Sequence, residues 1–166
     1  IASGILDNHE SPLRPTTFVS RKITNGAARI KLGLSNELVL GNLDARRDWG
    51  FAGDYVEAMW KMLQTDTADD FVVATGETHS VLDFVTTAFN FAGLSGQEDK
   101  YVKTDSHLLR PTEIHQLMGD PSKTSKVLDW HRSVDFESLV KEMVASDFEL
   151  LCKENGLTKP DVPAFN

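Results

Sequence analysis

Two adjacent arginines stand at the centre of LDARRDWG, residues 43 to 50. Arg46 and Arg47 offer guanidinium forks, the side-chain geometry that meets a phosphate bidentately. Asp48 can pair with one of them and hold it still, and Trp49 can wall a pocket or stack on a base. The alternative is a surface turn with local ion pairs. A second group of the same kind lies in RPTEI. Arg110 precedes Pro111, which biases its backbone to extended geometry, and Glu113 follows three residues on. Together they can read a phosphate and the N–H edge of a base, or simply pair with each other. In FVSRKI, Val19 and Lys22 are three apart on one helix face. Lys22 can therefore reach a ligand carbonyl or phosphate while Val19 packs beside it. NHESPLRP leaves the carboxyl end of a strand, the edge at which α/β sheets bind ligands. His9, Glu10 and Ser11 cannot converge as a hydrolytic triad, because consecutive residues of an extended chain point to opposite faces. A plain turn in which Asn8 bonds its own backbone accounts for the same residues.

These groups must be positioned by strands and helices in alternation. IASGIL reads as a short buried strand, and DNHESPLRPTT as a turn broken by Pro12 and Pro15. Thr16 or Thr17 then caps a helix from about Phe18 to Leu32, with Val19, Ile23, Ala27 and Ile30 on one face. ELVLG is a strand. Asp54 and Glu57 have capping-box spacing, and the helix they open buries Val56, Met59, Trp60 and Leu63. DTADD, residues 66 to 70, is a solvated loop, and FVVAT a buried strand. Ser80 with Asp83 caps a helix that buries Val81, Phe84, Val85 and Ala88; Phe84, Phe89 and Phe91 belong to the core. Residues 94 to 107 read as loop. Asp120 and Pro121 open a short helix. A long helix from about Phe136 to Asn155 is lined by Leu139, Val140, Met143, Val144 and Phe148 and stopped by Gly156. Residues 157 to 166 read as a flexible tail.

The alternation points to an α/β fold with only three or four strands visible. The sequence contains neither a Gly-x-Gly-x-x-Gly nor a Tyr followed four residues later by Lys. It reads as the second half of a larger unit, and its start on Ile1 suggests that the natural N-terminus lies elsewhere. IASGIL and FVVAT are then expected to pair with strands outside this chain, leaving apolar faces that favour a homo-oligomer. A net charge of −8 argues against nucleic acid and anionic membrane as partners. The single cysteine, Cys152, excludes an internal disulfide and fits a reducing cytoplasm. The five histidines lack paired helical spacing, so no metal site is assigned.

Five stretches together resemble one family. They are GILDNHESPLRP, FVSRKI, LGNLDARRDWGFAGDYVEAMW, FVVATGETHSV and LLRPTEIHQLMGDPSK. In their order and spacing, over residues 2 to about 150, they resemble GDP-mannose 4,6-dehydratases of the extended short-chain dehydrogenase/reductases. The resemblance implies a partial Rossmann-like α/β unit with the C-terminal substrate-binding subdomain over residues 1 to 156. It implies an NADP-dependent lyase that converts GDP-mannose to GDP-4-keto-6-deoxymannose and water. His9 and Arg14 match positions of the cofactor region. Asn8, Val19, Lys22, Arg47, Arg110 and Glu113 match positions that hold the GDP part. By that match Arg47 and Arg110 clamp the diphosphate, oriented by Asp48 and Trp49, while Lys22 and Glu113 read the nucleoside. The family's NADP-binding half and its catalytic Thr, Glu, Tyr and Lys fall before this sequence begins. No catalytic residue is assigned, and the chain alone is expected to be inactive. The alternatives are a nucleotide-sugar-binding module without chemistry, or a scaffold that keeps the fold and neither site.

Overall fold

The computed structural model describes residues 1–109, 112 and 114–166, so Arg110, Pro111 and Glu113 lie outside the described residues. The chain is α/β, with eight short strands in four pairs among the described residues. β1 (Ser3–Leu6) runs parallel to β6 (Asp70–Val73), and β2 (Asn8–Glu10) parallel to β5 (Trp49–Phe51). β3 (Leu38–Leu40) runs parallel to β8 (Val102–Thr104). β4 (Arg46–Arg47) and β7 (His79–Ser80) form the one antiparallel pair found among the described residues.

The larger core lies among α1 (Val19–Lys31), α3 (Val81–Phe91) and α6 (Phe136–Asn155). Each helix presents the stripe its sequence period dictates: Ile23, Ala27 and Ile30 from α1, Phe84, Val85 and Ala88 from α3, and Leu139, Val140, Met143, Val144 and Phe148 from α6. Ser80 and Asp83 close a reciprocal capping box on α3, with bonds of 2.9 and 2.8 Å. Gly156 ends α6 in the left-handed conformation at φ 64°, which glycine adopts without a Cβ penalty. A smaller core joins Tyr55, Ala58 and Met62 of α2 (Ala52–Met62) to β6, to Leu128 of α5 (Ser122–Leu128) and to Trp130.

Several elements differ from the sequence reading. β1 is not buried, and it finds a partner within the chain: it pairs with β6 in the register Ser3↔Asp70, yet Ile5 stays 63% exposed. β8 and the single-turn α4 (Glu98–Tyr101) occupy a stretch read as loop. α1 starts after Phe18, with neither Thr16 nor Thr17 as its cap. The apolar stripe assigned to α2 faces outward, with Val56, Met59, Trp60 and Leu63 at 61, 42, 60 and 74% exposure. The helix begins at Ala52, so Asp54 is not its cap. Asp54 lies inside the first turn, buried, and accepts from the backbone N–H and hydroxyl of Ser133. That contact turns Tyr55 and Ala58 inward. Residues 157 to 166, read as a flexible tail, dock through buried Val162 and Ala164 and set Phe165 against Phe148.

Candidate functional site

A cleft of about 530 Å³, within the range of small-molecule sites, opens beside β2 and α1. One wall is β2. Its pairing with β5 sets Asn8 opposite Trp49 and Glu10 opposite Phe51. Residues two apart on a strand share a face, so Asn8 and Glu10 both line the cleft and His9 does not. The second wall is the start of α1, which contributes Val19, Ser20 and Lys22. Phe18 stands at the helix N-cap with no side-chain hydrogen bond from it, so the first-turn N–H groups and the helix dipole favour an anion there. The far rim carries Arg47 on β4, Gly41 and Asn42 after β3, and Leu108. Gly41 is dictated by close approach: a Cβ there would lie 2.9 Å from the Leu108 carbonyl oxygen. Trp49, 3% exposed, forms the floor, its ring edge-on to Phe84 at 5.0 Å.

The charges of the cleft are held in place. Glu10 is 2% exposed and accepts a 2.5 Å hydrogen bond from the Ser20 hydroxyl. Arg14 Nε lies 3.4 Å from the same carboxylate, and its guanidinium sits 3.7 Å over the Phe18 ring. Arg47 donates to the carbonyls of Arg46 and Ile114 at 2.7 and 2.9 Å. With Arg14, Lys22 and Arg47 against Glu10, the lining is net positive within a chain of net charge −8. A cleft of that sign concentrates anions.

Of the residues singled out in the sequence, Asn8, Val19, Lys22 and Arg47 line this one cleft, and Arg14 joins them. Arg110 and Glu113 lie outside the described residues. Arg46 points elsewhere: it donates to the Thr78 carbonyl at 2.7 Å and pairs with Asp83 at 3.6 Å. Asp48 does not pair with either arginine. It is fully buried and accepts from the backbone of Thr75 and Gly76 and from the Thr75 hydroxyl, fixing the turn after β6. Trp49 is too deeply packed to stack on a base. His9 lies behind β2, its Nδ1 2.9 Å from the Asp7 carbonyl and its ring 5.3 Å from that of Tyr55. The Tyr55 hydroxyl is buried without a hydrogen-bond partner among the described residues. Burial, then the carboxylates of Asp48 and Asp7, push its ionisation well above the ordinary phenol range. Glu10 is the residue that sequence reasoning missed; strand alternation from Asn8 was the available signal.

The fold is that of the nucleotide-sugar epimerases and dehydratases of the extended short-chain dehydrogenase/reductases. RMD from Pseudomonas aeruginosa, solved with NADPH, superposes with a TM-score of 0.78 at 19% identity, over 89% of this chain and 47% of that one. dTDP-glucose 4,6-dehydratase from Bacillus anthracis, solved with NAD, gives 0.71 at 16% identity, over 92% of this chain and 44% of that one. Residues 1–143 match the family described as GDP-mannose 4,6 dehydratase, and the chain belongs to that family. It is 54% identical over 155 residues to GDP-mannose 4,6 dehydratase 2 of Arabidopsis thaliana, covering 93% of this chain and 41% of the relative. It is 48% identical over 164 residues to the Homo sapiens GDP-mannose 4,6 dehydratase, covering 90% and 44%. The chain thus spans less than half the length of these two curated relatives.

Proposed function

We propose that this chain carries the GDP-sugar-binding half of a GDP-mannose 4,6-dehydratase, a cytoplasmic, homo-oligomeric, NADP-dependent lyase that takes GDP-mannose to GDP-4-keto-6-deoxymannose and water. The observation that carries the reading is the meeting of Asn8, Val19, Lys22 and Arg47 on one positively lined cleft, within a chain of that family. Arg47, with Arg110, neutralises the diphosphate. Lys22, with Glu113, reads the nucleoside. The start of α1 adds its N–H groups and dipole to the same anion. Residues 1 to 156 make up this binding half.

For NADP, the described residues fit a rim and not a full site. His9, its ring beside that of Tyr55, offers one polar edge, and Arg14 offers a cation from the cleft side. The cofactor, when bound, supplies the hydride exchange; His9 would orient it from behind β2 and Arg14 would neutralise it from the cleft side. The sequence has no Tyr-x-x-x-Lys pair to move a proton. The isolated chain therefore binds without turnover and forms no 4-keto-6-deoxymannose product until the remaining half of the enzyme is added. A nucleotide-sugar-binding module without chemistry is the second reading, favoured by that same missing pair.

Calorimetry with GDP tests the assignment. Arg47→Ala removes a charged hydrogen-bond donor and is expected to cost about 1.5–3 kcal/mol, a loss of roughly 10- to 150-fold in affinity. GDP binding that is indifferent to Arg47, or absent from the unmodified chain, overturns it.

A further inference from the structure

We propose that the buried pair Arg21–Asp147 is a positioning device: through it α6 holds the Ser11–Pro15 turn, and so sets Arg14 on the cleft. Arg21 and Asp147 are 6% and 0% exposed, and neither lines the cleft. Asp147 sits on α6, and its carboxylate accepts from three residues of α1, Arg21, Thr24 and Asn25. Arg21 Nε donates to Oδ1 and Oδ2 at 2.8 and 3.0 Å, and Nη2 lies 2.8 Å from Oδ1. Thr24 Oγ1 donates to Oδ2 at 2.7 Å, and Asn25 Nδ2 to Oδ1 at 3.0 Å.

The third nitrogen of Arg21 goes elsewhere. Nη1 donates to the backbone carbonyls of Pro12 and Arg14, the latter at 3.1 Å. This turn contains Pro12 and Pro15 and belongs to no strand or helix. Its own backbone ties are the Arg14 N–H to the Ser11 carbonyl and the Leu13 N–H to the Ser11 hydroxyl, at 3.0 and 3.1 Å. Arg14, which the turn carries, reaches the cleft between Glu10 and Phe18.

Stability alone does not explain the choice of residues. A buried ion pair is commonly replaceable by apolar side chains of similar volume at no loss. An apolar pair offers no donor to two turn carbonyls. A lysine carries its donors on one nitrogen and does not reproduce the fork, in which Nε and Nη2 face the carboxylate while Nη1 faces the turn. The arrangement links the last long helix to a residue of the binding wall without itself touching a ligand.

The test uses the full 166-residue chain and the variant Arg21→Lys. By amide hydrogen exchange, the Leu13 and Arg14 amides are expected to exchange at least about tenfold faster, while mid-helix amides of α1 and α6 keep their protection. Unchanged exchange at residues 13 and 14, or equal loss throughout α1 and α6, overturns the proposal. A second arm rests on the GDP reading and on Arg14 lending its charge to the cleft it lines with Lys22 and Arg47, beside any contact it makes to the cofactor: Arg21→Lys should weaken GDP binding about tenfold when Arg14 is present and less than about twofold in an Arg14→Ala background. Equal weakening in both backgrounds marks a general structural effect and overturns the coupling. If the unmodified chain binds no GDP, the functional reading fails, and exchange alone decides on the device. Asp147→Asn, which keeps the shape and loses the charge, must give the same pattern where Arg21→Lys does not fold.

Discussion

Arg46 and Arg47 are adjacent in sequence and opposite in role, because extended residues alternate. Arg46 is spent on Thr78 and Asp83, tying β4 to the start of α3, while Arg47 reaches the cleft. The acids around them divide in the same way. Asp48 is satisfied by three donors, and it lies near Asp7, which has no such set. Burial first, and the charge of Asp48 second, raise the pKa of Asp7 above the usual carboxylate value, against a smaller opposing hydrogen bond from the Gly119 backbone. A raised carboxyl pKa means that the folded chain binds this proton more tightly than the unfolded chain does. Above the raised pKa Asp7 is ionised in both states, and the folded state bears the cost; acidification through that pKa removes it. Asp7→Asn is therefore expected to stabilise the chain above that titration by less than about 1 kcal/mol, since the partly buried group is partly screened. The advantage should shrink as pH falls through the Asp7 titration. Urea midpoints of both proteins across that range check it, and a gap that widens on acidification contradicts the assignment.

The elements were legible from sequence to the degree that one local signal decided them. α6 is legible end to end, since its apolar period runs unbroken from Phe136 and Gly156 supplies the stop. The capping box of Ser80 and Asp83 likewise marks α3. α2 shows where such signals mislead. Asp54 and Glu57 have the spacing of a capping box, but the start of the helix is set one turn earlier by continuity with β5. The apolar residues that the spacing turned inward face out. β4, β7 and β8 are two or three residues long, too short for a period to show, and exist through partners distant in sequence. Of the candidate site, Val19 and Lys22 were legible from helix spacing, and Asn8 from its place after a strand. Glu10 was hidden because its stretch reads as a turn, where the structure has a strand, and the fate of Asp48 by its separation of 27 positions from Thr75.

At the scale of the whole molecule, the binding wall and the exposed apolar surface are separate. No residue of α2 lines the cleft. Yet α2 and the Leu63 that follows it carry Val56, Met59, Trp60 and Leu63 outward, and the far end of α2 lies against β1, where a Cβ on Gly4 would come within 3.2 Å of Met62 Cε. β1 adds exposed Ile5 and pairs along one edge, with β6. An apolar helix face beside a strand that, among the described residues, pairs along one edge alone is the kind of surface that chains cover by association. The isolated chain is expected to cover it with a second copy of itself. Sedimentation velocity at micromolar concentration should show a species of at least dimer mass. Trp60→Lys with Leu63→Lys places two charges on that face and should shift the distribution to monomer while leaving GDP affinity within about twofold, because the substitutions lie off the cleft. A monomeric unmodified chain removes the need for a second copy on this face. Monomerisation that also abolishes GDP binding would mean instead that the cleft is completed across the interface.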